Sequence, residues 1–205
     1  MTSQLAKVAL VCPSLNLCRA QDTLVKAEHT AGVPVELIAS HDKHGEGFTK
    51  AVNRGWRAAL DVDDVTHLTV INDDTHPDRI ETGWLRRLVE ALESHTNFGV
   101  CGPSGPCRTD PQKSGKPGMP KRVVGVQPYS LAFFMVVMKR QVMDDVGLLD
   151  ENYIHYGSDN DWCHRAAKAG WRVVWVQDVY MPHDVGSIKH EWRAHDRSLY
   201  LNKWG

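Results

Sequence analysis

The chain has 205 residues, with 24 Lys and Arg against 25 Asp and Glu, a formal net charge of −1, and 42% hydrophobic against 24% charged residues. That is enough chain for one substantial core, and too balanced a charge to project a basic field toward nucleic acid or a membrane surface. No apolar run approaches the ~18 residues a bilayer crossing needs, and "MTSQLAKVALVCPSL" is a poor secretory leader, so a cytoplasmic protein without stable membrane insertion is expected.

The first element, "KVALVCPSL" (7–15), is a continuous apolar run of the kind buried on both faces of a sheet. A helix is expected over 20–32, ended by Gly32, and a strand over 34–40. The next helix, 47–60, carries Phe48, Val52, Trp56, Ala59 and Leu60 close to helical spacing. "THLTVI" (66–71) reads as a third strand, 82–95 as a helix with Leu85, Leu88, Val89 and Leu92 on one face, and "FGVCGP" (98–103) as a short strand. Such β-α-β-α-β-α order implies parallel strands and right-handed crossovers.

Composition then changes. The stretch from 102 to about 128 is dense in Gly, Pro and Lys and is expected to be a mobile loop of the functional kind. "SLAFFMVVMK" (130–139) is the most apolar strand of the chain, "RQVMDDVG" a short helix, 158–170 a longer one, and 171–179 the last strand. The tail, 186–205, is rich in aromatic and basic residues and suits a helix closing over a site or a homodimer contact. With no repeat and no second core, residues 1–205 are expected to form one α/β domain, a mostly parallel sheet flanked by helices. Five cysteines, an odd number, fit a reducing compartment. Two C-x5-C pairs are wide for zinc, and small buried residues are the plainer reading.

Three groups carry chemistry. Asp73 and Asp74 follow the third strand directly, where ligands gather in open α/β sheets. Adjacent carboxylates there call for a cation, and Mg²⁺ or Mn²⁺ carrying a diphosphate would serve. An Asx-type turn, with Asp78 or Thr82 capping the next helix, is the structural alternative. In "YGSDNDW", Ser158 and Asp161 resemble a capping box, which leaves Asp159 in the first helical turn without a local task and makes it a candidate general base. His183 lies beyond the last strand; taken alone, a lone histidine is more often a hydrogen-bonded loop residue than a ligand.

Together these stretches resemble the family 2 type of GT-A glycosyltransferases, the inverting nucleotide-sugar enzymes, over residues 7 to 185. "VALVCPSLN" is similar to the family's opening strand with its Pro-x-x-Asn turn, and "GEGFTKAVNRGWRAAL" to its G-F-x-x-A-x-N-x-G helix. "VINDDTHPDRIETGWLRRL" is similar to its aspartate motif, and "VGLLDENYIHYGSDNDWCHRAAKAGW" to its late block. The resemblance implies Asp74 as direct metal ligand, Asp73 near the ribose or metal, and His183 as a third contact to metal or diphosphate. It implies Pro13, Asn16, Asp42 and Lys50 around the nucleotide, and Asp159 as the base that activates an acceptor hydroxyl.

Two departures stand out. Ser158 replaces the family's Glu, which keeps Asp161 as a rival base, and only Asp42 survives of the usual nucleobase-reading pattern, so UDP is a default. For a soluble acceptor (glycan, protein or modified nucleic-acid base), Tyr129, Phe133 and Phe134 are candidate stacking residues, with at least one phenylalanine expected to pack into the core instead. A nucleic-acid acceptor would need Lys113, Lys116, Lys121 and Arg122 as a basic groove. The rival readings are a non-catalytic sugar-nucleotide or glycan-binding module on the same fold and, well behind it, a nucleotidyltransferase, disfavoured because "CPSLNLCRA" lacks any glycine to cradle a triphosphate.

Overall fold

Strand β1 (Val8–Ser14) is buried along its whole length. Its alternating side chains feed two separate cores: Val8, Leu10 and Cys12 enter one, Ala9 and Val11 the other. This computed structural model describes residues 6–106, 112, 121–126, 130–184 and 190–205. After β1 come α1 (Leu17–Ala31), β2 (Val35–His41), α2 (Phe48–Leu60) and β3 (His67–Ile71). A 3₁₀ turn (Pro77–Arg79), α3 (Trp84–Glu93) and β4 (Phe98–Ser104) follow. The second half supplies β5 (Val123–Gly125), β6 (Met135–Lys139), α4 (Val142–Val146), α5 (Ser158–Lys168), β7 (Arg172–Tyr180) and α6 (His190–Trp204).

Two boundaries moved for identifiable reasons. Helix α1 starts at Leu17 rather than 20 because the Asn16 side chain accepts the Arg19 amide as an N-cap. It ends at Gly32 as expected, in the left-handed conformation, where an added Cβ would lie 2.6 Å from the Gly83 Cα. The strand expected over 130–139 begins only at Met135, although Leu131, Phe133 and Phe134 before it are buried.

The strand order is β2-β1-β3-β6-β4-β7-β5. Strand β1 pairs parallel with β2 and β3, and β4 parallel with β7; β6 runs antiparallel to both β3 and β4, and β5 antiparallel to β7. The sheet is therefore mixed: five strands run one way, as in the mostly parallel sheet expected, and β5 and β6 run against them. An apolar strand buried on both faces reads the same in either direction, so the reversal of β6 left no mark in the sequence. The consequence for function is that β1, β2, β3, β4 and β7 all end at one edge, where β6 begins.

One core lies under α2 and α5. There Trp56 packs against Phe133 and Trp162, with ring centroids 6.4 and 6.1 Å away, and donates its indole N–H to the Thr69 carbonyl at 3.0 Å. The other lies under α1 and α3, around Leu24, Trp84, Leu85 and Leu88. Trp56→Ala is expected to cost about 3–5 kcal/mol, since it leaves a large cavity and an unpaired carbonyl. A shift of the urea midpoint worth less than ~1 kcal/mol would show that the Trp56 site collapses freely.

Candidate active site

The strand-end edge gathers the candidate side chains in two groups. In the first, Asp73 and Asp74 occupy a turn closed by the Thr75 hydroxyl on the Asn72 carbonyl at 2.8 Å. Asp73 belongs to the β1–α1 corner. Its carboxylate accepts from the Ser14 hydroxyl and lies 3.8 Å from the Arg19 Nε, while its carbonyl accepts from the Thr23 hydroxyl at 3.2 Å.

Asp74 instead faces the segment after β7. Thr75 and His183 form an antiparallel bridge, the Asp184 amide donates to the Asp74 carbonyl at 2.9 Å, and the His76 amide donates to the Pro182 carbonyl at 2.9 Å. The Asp74 Oδ1 lies 3.5 Å from the His183 Nε2, too far for a good hydrogen bond. Neither that oxygen nor the His183 Nδ1 has a hydrogen-bond partner, although both are buried. Burial pushes the Asp74 carboxyl above its usual range; His183 pulls it back and Asp73 adds to the rise. An orphaned carboxylate oxygen facing an imidazole Nε2 fits a hard divalent cation that takes its remaining ligands from substrate phosphates. Among the described residues, no three His, Cys, Asp or Glu side chains converge on one point.

The second group is carried by α5. Gly157, at φ 76°, turns the chain into the helix, and Asp159 sits in the first turn. Its carboxylate accepts the amides of Asn160, at 2.9 Å, and Phe133. Burial raises its pKa more than these amides lower it, although the side chain keeps some exposure. The capping box expected from Ser158 does not form: Ser158 is the first helical residue, buried, with its hydroxyl unpartnered. Asp161 is fully buried, bound by the Arg165 Nε at 2.9 Å, the Lys203 Nζ at 2.7 Å and the Trp204 indole at 2.8 Å. It is occupied in tying α6 to α5 and presents no free oxygen to a substrate.

The two groups meet at one dipeptide. The Phe134 ring stacks on His183, with centroids 5.0 Å apart, and its carbonyl accepts the Asn72 amide at 2.8 Å; the preceding residue, Phe133, supplies an amide to Asp159. Both rings are buried, at 2% and 4% exposure. This corrects the expectation that they stack on an acceptor: they form the floor connecting Asp74 and His183 to Asp159. Tyr129, Lys113 and Lys116 lie outside the described residues, and Lys121 and Arg122 are exposed beside β5.

The residues expected around a nucleotide lie at the same edge. Pro13 is buried near the end of β1, Asn16 is exposed at the start of α1, and Lys50 is exposed in the first turn of α2, 3.7 Å from Glu46. Asp42 is buried, its two oxygens accepting the Glu46 and Gly47 amides at 2.8 and 2.9 Å, so it shapes the β2–α2 turn. Ser14, Arg19 and His76 were not anticipated. Single polar residues at strand and helix ends carry no period or spacing by which to find them.

No protein-family model matches this sequence, and no curated protein does either. Solved structures do. The catalytic domain of Drosophila β1,4-galactosyltransferase 7, in complex with xylobiose, superposes with a TM-score of 0.60 at 14% identity, covering 94% of this chain and 80% of that one. GalNAc-T7, with UDP, GalNAc and Mn²⁺, superposes with a TM-score of 0.61 at 10% identity over 89% of this chain and 44% of its own. The chain has the GT-A glycosyltransferase fold. A third match, A197 from STIV, has a TM-score of 0.54 at 13% identity, covering 89% of this chain and 87% of the other. The mixed seven-stranded sheet flanked by helices is that of a GT-A domain. No helix among the described residues is long and apolar enough to cross a membrane.

Proposed function

We propose that this GT-A domain is a metal-dependent, inverting glycosyltransferase of the family 2 type. It would move a sugar from a UDP-sugar to a hydroxyl of a soluble glycan, protein or modified nucleic-acid base. The observation that carries the proposal is the orphaned Asp74 Oδ1 facing the His183 imidazole through its Nε2, joined through Phe133–Phe134 to a partly exposed carboxylate with a raised pKa. Asp74 and His183 would hold Mn²⁺ or Mg²⁺, with Asp73 and the β1–α1 corner against the ribose side. The chemistry such an ion supplies is neutralisation of the charge developing on the departing diphosphate.

Asp159 takes the proton from the acceptor hydroxyl as that oxygen attacks the anomeric carbon opposite the leaving group, which inverts the configuration. Its raised pKa keeps it basic enough to accept that proton near neutral pH. UDP and Mn²⁺ in the GalNAc-T7 structure support the choice of donor and metal. The free cysteines support a cytoplasmic setting.

The test is a thermal-shift titration with UDP, GDP, CDP and TDP, each with and without Mn²⁺. A ligand that binds only the folded state stabilises it by mass action, so UDP at about 100 times its dissociation constant adds ~2.7 kcal/mol. A rise with UDP that requires Mn²⁺ supports the proposal. A rise indifferent to metal favours a non-catalytic binding module, and no rise with any nucleotide refutes nucleotide-sugar use.

A further inference from the structure

Helix α6 is attached in an unusual way. From Trp192 onward its only buried side chain is a carboxylate, Asp196, with no exposed surface. An ordinary surface helix docks through an apolar stripe; α6 docks through charge. Besides Asp196, Lys203 bridges Asp150 and Asp161 at 3.0 and 2.7 Å, Trp204 donates to Asp161 at 2.8 Å, and the Tyr200 hydroxyl meets the His164 Nε2 at 2.8 Å. Every one of these partners lies in α5 or in the loop leading into it.

What Asp196 holds is more specific. Its Oδ1 accepts the Ile154 amide at 2.9 Å, and its Oδ2 accepts the His155 and Tyr156 amides at 2.9 and 2.8 Å. Three consecutive N–H groups pointing to one spot form an anion-binding concavity, and here the anion comes from the chain itself. The other side of the same loop is fixed too. The Ile154 carbonyl accepts the Thr49 amide at 3.2 Å, and an added Cβ on Gly47 would lie 2.4 Å from that carbonyl oxygen. The loop therefore sits between the start of α2 and Asp196, and three residues past Tyr156 the chain delivers Asp159.

We propose that Asp196 is a positioning residue, which sets the orientation and solvation of Asp159 by clamping the loop that enters α5. The inference rests on the reading of Asp159 as the general base. Burial alone would raise the Asp196 carboxyl, but the three amides and the His195 ring outweigh it and hold it below the ordinary range, so it is charged at any working pH. The titratable groups beside Asp159 are Cys163 on its own helix and Tyr200 on α6, both kept neutral by burial.

The experiment uses the full chain, and its readouts on the clamp need no acceptor. In the native protein the amides of 154–156 are expected to exchange on the order of a hundredfold more slowly than exposed turn amides, although they lie outside any helix or strand. Free exchange there would overturn the clamp without any variant. Asp196→Ala, which removes both acceptor oxygens, frees those amides and, because it loosens the loop around Asp159, lowers the pH at which the Asp159 carboxyl carbon titrates by NMR, while the Mn²⁺-dependent UDP dissociation constant stays within about twofold. Freed amides with an unmoved Asp159 titration would make Asp196 a cap for stability only and sink the proposal. Asp159→Asn with full turnover would sink the base assignment instead, which these readouts tell apart from a failed clamp.

Discussion

Asp159→Asn is expected to bind UDP and Mn²⁺ as the native protein does and to lose about 10²–10⁴-fold in turnover, the usual contribution of a positioned base. Asparagine keeps an oxygen for the amides of Asn160 and Phe133, so the first turn of α5 has no reason to rearrange. What it cannot do is accept a proton. The native pH profile carries the complementary signature. The base works only when ionised, and its pKa is raised by burial, so the rate falls with decreasing pH already above the ordinary carboxylate range. An acid limb that survives unchanged in Asp159→Asn would assign it to another group. The same collapse in Asp161→Asn, accompanied by unchanged stability, would move the base to Asp161. Its burial against Arg165, Lys203 and Trp204 leads us to expect a loss of stability there instead.

Asp74→Ala should raise the Mn²⁺-dependent dissociation constant for UDP by at least roughly 100-fold, beyond the ~10–100-fold that loss of an outer-shell partner costs. Isothermal titration with and without Mn²⁺ measures it. Equal affinity in the variant and native protein with Mn²⁺ present would remove Asp74 from the metal site. A folding defect is not expected to confuse the result. The Asp74 carboxyl is raised by burial, which means that its charged form opposes folding at neutral pH, so without metal the variant should melt no lower than the native chain. A residue that costs the fold something and has no hydrogen-bond partner for one oxygen is best explained by a ligand.

The first half of the fold was legible because its signals are local. Apolar runs at 7–15 and 66–71 end in polar turns, and the face of α3 repeats at helical spacing, so β1, β3 and α3 fell close to where they were expected. Carboxylates at strand ends were legible for the same reason, since topology alone brings them to one edge. What stayed hidden depends on partners distant in sequence. The direction of β6 is set by its neighbours and not by its own residues. Phe133 and Phe134 read as a candidate aromatic platform until Trp56 and Trp162 are seen packed on the first and His183 on the second. Ser158 satisfies the capping pattern in sequence, but Gly157 takes the cap position and moves the serine inside. Asp161 and Asp196 both look like solvent-exposed helix charges, and both turn out buried because α6 folds back on α5.

The bridge between Thr75 and His183 has a consequence for the life of the molecule. It joins stretches 108 residues apart, as the His76–Asp184 contact within it shows, and His183 follows the last strand of the sheet. A chain leaving the ribosome N-terminus first has its aspartates long before it has its imidazole. Contacts of such sequence separation form late and open early. Nascent or frayed chains therefore lack the pairing of Asp74 with His183, and whatever that pair does is withheld until the whole sheet has assembled.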